Sequence, residues 1–133
     1  MTQHNPLLTL AYNAGGTVKP NRFVKFGSAN RTIVQAAAAT DAIFGVSDGV
    51  TTGYLNASTG MTVDVHVTGP VRIVYGGTVT RGDLLVSDSD GRAITAAPAA
   101  GVNNRTGGVA LVSGVVGDVG SVLINPGHVQ GAT

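Results

Sequence analysis

GGTVTRGDLLVSDSDGRAITAAP, residues 76–98, is the stretch whose reading decides the fold. A short strand leads into a tight turn at Arg81-Gly82-Asp83. A second strand follows over residues 83–86, then a hairpin at Asp88-Ser89-Asp90-Gly91 and a third strand over residues 93–95. Asp90-Gly91 is the strongest signal, because a type I′ turn needs positive φ at both central positions and Asp-Gly supplies it. Gly82, Asp83, Asp88, Asp90 and Gly91 are therefore expected to be structural turn residues, and no catalytic residue types gather around them.

Outward from this hairpin the same grammar continues. In residues 61–68, Val63, Val65 and Val67 alternate with Thr62, Asp64, His66 and Thr68, the pattern of a half-buried strand. Gly69-Pro70 should break it, after which Val71, Ile73 and Tyr75 share a face of the next strand. Further strands are expected at residues 22–26, 32–35, 43–46, 109–113 and 121–124. Turn signals at Gly15-Gly16, Asp48-Gly49, Gly76-Gly77 and Gly107-Gly108 punctuate them. Short antiparallel strands at this spacing predict a mostly β fold with little helix, a small barrel or sandwich.

Composition agrees. All seven acidic residues are Asp, which favours turns and caps, whereas Glu, at home in helices, is absent. With 133 residues the chain makes one domain. It divides into an N-terminal arm over 1–14, a β domain over 15–127 and a tail over 128–133; the LLTLAY run of the arm reads equally as an ordinary first strand of the barrel. Residues 96–108 (AAPAAGVNNRTGG) are expected to be an exposed loop.

Charge points to a binding partner. Charged residues make up 11% of the chain against about 25% in ordinary globular proteins. A compact chain of this mass exposes roughly 6,500 Å², so fifteen charges leave long neutral stretches. Such a surface suits an oligomer or a permanently docked protein. A net charge of +1 with no basic cluster argues against nucleic acid. No stretch approaches the ~20 apolar residues of a membrane span, and the N-terminus lacks the basic and apolar regions of a signal peptide, so synthesis and residence in a cytosol are expected.

The candidate chemistry is sparse. No cysteine provides a disulfide, thiolate nucleophile or thiolate ligand. His4, His66 and His128 lie in a tail, a strand and a terminal turn, with no nucleophile elbow to complete a triad. Asp64 and His66 share a strand face and could offer two metal ligands, but no third is evident. Asp88-Ser89-Asp90-Gly91 resembles part of a calcium loop without its distal Glu, so it reads better as a turn. Arg81-Gly82-Asp83 spells an adhesion tripeptide but sits where a strand begins. The expectation is a protein that is not an enzyme and carries no cofactor and no metal.

Six phrases in order then resemble the capsid decoration (cement) proteins of tailed phages. They are RFVKFG (22–27), TDAIFGVSDG (40–49), VDVHVTGPVRIVYGG (63–77), VTRGDLLVSDSDGRAI (79–94), GGVALVSG (107–114) and GSVLINPG (120–127). Phe23, Gly45, Gly69, Gly82, Asp83, Ser87, Asp88, Gly91, Arg92 and Ala93 fall on the family's pattern, and the likeness spans residues 21–126. It implies a β-barrel-like protein on the outer surface of an expanded icosahedral virion capsid, made in the host cytoplasm. The implied partner is the major capsid protein, and the implied assembly is a homo-oligomer, with a trimer favoured. Leu7, Leu8, Leu10 and Tyr12 of the arm are the candidate anchors onto the shell or a neighbouring copy. The alternative is a β-clip-like carrier or carbohydrate-binding module. The hairpin tip lacks the lysine a carrier needs, and aromatics for stacking on sugars are few. A small hydrolase or metal enzyme built on Asp64 and His66 is the third reading.

Overall fold

A computed structural model of the chain describes residues 3–48 and 55–132, so Met1, Thr2 and the Gly49 half of the expected Asp48-Gly49 turn lie outside the described residues. Within them are nine strands and no helix. These are β1 (Leu8–Ala14), β2 (Phe23–Phe26), β3 (Thr32–Gln35), β4 (Ile43–Ser47), β5 (Thr62–Val74), β6 (Leu84–Ser87), β7 (Ala93–Thr95), β8 (Asn103–Ala110) and β9 (Val119–Gln130).

The first five strands close on themselves. Hydrogen bonding runs β1-β3-β2-β4-β5, and β5 returns to β1 through a register from Leu8↔Thr68 to Asn13↔Thr62. Closure removes both sheet edges, the usual hazard of a small β protein. The remaining strands continue from β5 in the order β9-β8-β6-β7. A parallel bridge, Tyr75↔Ala93, brings this second sheet back to the end of β5.

β5 belongs to both halves. The expected break at Gly69-Pro70 is a bend instead, and a single 13-residue strand passes through it. Gly69 takes φ +95°, which redirects the chain without ending its pairing, and Pro70 sits opposite Leu123. Ahead of the bend, Val63 and Val65 pack with Ala14, Val18, Val24, Ile33 and Ala57. Beyond it, Val71, Ile73 and Tyr75 pack with Val79, Leu85, Ala110 and Val122, and with Phe23, Ile43 and Val46 from the first barrel. Each fully buried Val, Ile or Leu stabilises the fold by about 1.5–3 kcal/mol.

The two halves repeat one design. Gly15-Gly16-Thr17-Val18 returns as Gly76-Gly77-Thr78-Val79. Val18 and Ala57 exchange backbone hydrogen bonds, as do Val79 and Gly114. Ala14 donates to Met61 O and accepts from Gly60 N; Tyr75 does the same with Asp118 O and Gly117 N. Asn21 and Gly82 hold equivalent positive-φ positions, as do Gly60 and Gly117.

The N-terminal residues are not a free arm. Leu8–Ala14 is β1, a barrel strand of its own chain. The stretch before it follows β5, with Asn5 N donating to Pro70 O at 2.7 Å and Leu7 N to Thr68 O at 3.0 Å. A side chain at Gly69 would strike Leu7 N and Asn5 O, so this glycine is what lets the segment lie so close. Two other boundaries also move. β8 takes in residues 103–108 of the expected loop, and β9 runs through His128 to Gln130, with Arg105 opposite His128. This outer ribbon carries little apolar alternation because much of it faces solvent, so periodicity could not reveal it.

Candidate docking surface

The expected turn residues occupy both ends of β6. Gly82 adopts φ +94° in the turn entering the strand, where Asp83 Oδ2 accepts from Thr80 N at 2.9 Å and Thr95 Oγ1 at 2.8 Å. The carboxylate of the adhesion-like tripeptide is thus engaged in its own hairpin. At the other end, Asp88 Oδ1 accepts from Asp90 N and Arg92 N. This makes a five-residue loop in which Gly91 has positive φ and Asp90 does not, so the turn is not type I′. The Asp88 side chain, acting as an Asx-type cap, selects the longer loop.

That loop fastens the second half to the first. Asp90 accepts from Lys19 Nζ at 2.8 Å, Arg22 Nη1 at 3.0 Å and Gln35 Nε2 at 3.1 Å, while Phe23 N donates to Gly91 O. The Lys19 hydrogen bond, with Arg22 beside it, holds the Asp90 carboxyl below its ordinary pKa despite some burial. Because the folded pKa is lowered, the stabilisation is present above the unfolded value, about 4, and is lost as pH falls through the folded one. With the side chain about one-third exposed, solvent screening keeps the contribution near 1 kcal/mol. Asp90→Asn should therefore lower stability by about 1 kcal/mol at pH 7. In urea titrations the gap to wild type should close below pH 4; an unchanged gap at pH 3 would contradict the clamp.

Of the four candidate anchors, Leu7, Leu8 and Leu10 are exposed, Leu7 at 74%. Tyr12 instead packs on the first barrel's core, edge-on to Phe44 at 5.5 Å and Phe26 at 6.2 Å. Phe26 stacks on Phe44 at 4.0 Å and stays 59% exposed. Sequence reasoning missed a second apolar surface. Pro70, Leu123, Val109 and Leu84 are successive cross-strand partners on β5, β9, β8 and β6. Leu123 and Leu84 are over 40% exposed. The alternation LLV and SVLI held the signal, but only the strand registers bring these residues into one row. Total exposed area is 6395 Å², the value expected of a compact chain, so this apolar exposure does not come from loose packing.

The cluster of three possible metal donors that the strands assemble around His66 does not include Asp64. His66 is buried and meets Asp48 and His4 instead. Burial, with His66 and Arg72 close by, lowers the pKa of His4.

The chain matches the phage cement proteins as a family over residues 2–125. No curated protein matches it. Among solved structures it resembles the N base of head fiber gp8.5 of bacteriophage phi29. The TM-score is 0.64 and the identity 17%, with 89% of this chain and 93% of that one covered. At that identity the likeness establishes the shared fold.

Proposed function

Because the chain belongs to the phage cement protein family, and is thereby a structural protein of the phage capsid, we propose that it decorates the outer surface of an expanded icosahedral shell. In this role it bridges capsid subunits without catalysing a reaction. The family match carries the proposal; the low charge and the exposed apolar rows support it. Genome pressure loads the joints between capsid subunits, and a clamp across a joint resists it by binding alone. A trimer at a threefold position would gain further, since its second and third footholds bind intramolecularly.

The row Pro70, Leu123, Val109 and Leu84 is the foothold we assign to the major capsid protein, with Leu7, Leu8 and Leu10 as a second apolar contact. Cosedimentation with expanded, undecorated capsids should give saturable binding at a fixed ratio to the major capsid protein. The pair Leu84→Ser and Leu123→Ser should weaken it at least about tenfold, the cost of roughly 1.4 kcal/mol of lost burial. Saturable binding that the pair leaves unchanged would move the foothold elsewhere. No binding by the folded wild-type protein would reject the decoration role.

A second reading, a carbohydrate-binding module, draws on the exposed Phe26 stacked over Phe44 beside Tyr12. Specific signals on a glycan array that Phe26→Ala abolishes would favour it.

A further inference from the structure

His66 sits on β5 with 4% of its surface exposed. Thr9 Oγ1 lies 2.8 Å from its Nδ1. Its Nε2 is buried and makes no hydrogen bond, although Asp48 Oδ1 stands 3.6 Å away. That separation is too long for a hydrogen bond in either tautomer. A buried imidazole nitrogen left this way costs about 1–3 kcal/mol, so its retention asks for a reason.

A shared cation supplies one. Two donors bound to one tetrahedral ion at about 2.0–2.2 Å stand roughly 3.3–3.6 Å apart. A third donor is present. One ring nitrogen from each of His4 and His66 and one Asp48 carboxylate oxygen all lie within 4.8 Å of one another. The histidine rings meet edge to face with centroids 5.2 Å apart.

We propose that His4, Asp48 and His66 form a site for a divalent transition metal of the zinc class. Two imidazoles and one carboxylate match the donor preference of zinc and disfavour calcium or magnesium, which take oxygen ligands. In His66, Nδ1–H can donate to Thr9 Oγ1, which leaves the Nε2 lone pair for the ion, the usual outer support of a ligating histidine. His4 pays more to join. Its Nδ1 accepts from Arg72 N at 3.0 Å, so ligation through Nε2 moves the ring proton to Nδ1 and gives up that bond. The result is a site of moderate affinity in which His66 and Asp48 are the fixed ligands and His4 the recruited one. Its three ligands come from the N-terminal segment, the end of β4 and the middle of β5. The ion would therefore tie the first residues of the chain onto the barrel.

The test uses the full chain, stripped with EDTA and titrated with ZnCl₂ by calorimetry, with thermal melting in parallel. One ion per chain and a higher melting temperature are expected. His4→Ala lies outside the barrel strands and keeps the fold, as circular dichroism can check. It should weaken binding at least about tenfold, since losing an outer-shell partner alone costs 10–100-fold. His66→Asn should remove binding, and His128→Ala should leave it unchanged. Absence of saturable zinc binding by the wild-type chain, or full affinity in His4→Ala, would overturn the site.

Discussion

Deleting residues 1–13 is expected to unfold the protein. The sequence leaves the N-terminal stretch readable as an arm or as a first barrel strand, and Leu8–Ala14 is the strand: it pairs with β5 along its length and meets β3 at Asn13 and Ala14. Without it the barrel opens. Two strands lose hydrogen-bonding partners, and Tyr12, which packs against the cluster of Val63, Val65 and Ile33, is removed. The segment before β1 also goes, and with it the bonds to Thr68, Pro70 and Ser121. A small domain has about 5–15 kcal/mol of stability in total, and an opened barrel with an uncovered core should exceed it. The truncated chain should show no cooperative thermal transition and should bind hydrophobic dye. A sharp transition near that of the full chain would mean that the remaining strands close without β1.

Tyr75→Ala is expected to cost about 3–5 kcal/mol, the range for removing a large buried aromatic. Tyr75 is the largest fully buried side chain among the described residues and lies in the core cluster beyond the bend. Its hydroxyl donates to Val112 O at 2.7 Å and sits 3.3 Å from Ser121 O. A Cβ at Gly120 would overlap the ring, and one at Gly114 would come within 2.8 Å of it. The two glycines thus shape the slot that the ring fills. Burial raises the phenol pKa, keeping it a donor well into alkaline conditions. Tyr75→Phe should cost only about 1–2 kcal/mol, because packing survives and one acceptor is orphaned. Urea unfolding of both variants checks the order; equal losses would mean that the hydroxyl, rather than the ring, matters most.

Much of the fold was legible because alternation and glycine turns are local signals. Val63 and Val65, the GDLLV strand and the Asp88–Gly91 turn all appear where the sequence puts them. What escaped was relational. Gly69-Pro70 looks like a terminator, and only the register to Leu123 reveals a bend in a continuing strand. The pair of GGTV phrases was visible, yet its meaning as a repeated unit depends on hydrogen bonds far apart in the chain. The candidate site divides in the same way. Leu7, Leu8 and Leu10 are apolar and exposed as a sequence reader would expect, but the Pro70–Leu84 row and the His4, Asp48 and His66 cluster exist only once the strands are aligned. Asp64 is nearer to His66 in sequence, but the third donor, Asp48, reaches His66 only through the pairing of β4 with β5, which no local pattern shows.

β5 has a mechanical consequence. Tandem modules joined by a flexible linker swivel, so gripping one says little about where the other points. Here the junction is the middle of a strand, braced by the Asp90 clamp and by the N-terminal segment lying across the bend. The molecule behaves as a bracket: a grip on one half fixes the bearing of the other, and torque passes along a hydrogen-bonded beam instead of dissipating in a hinge.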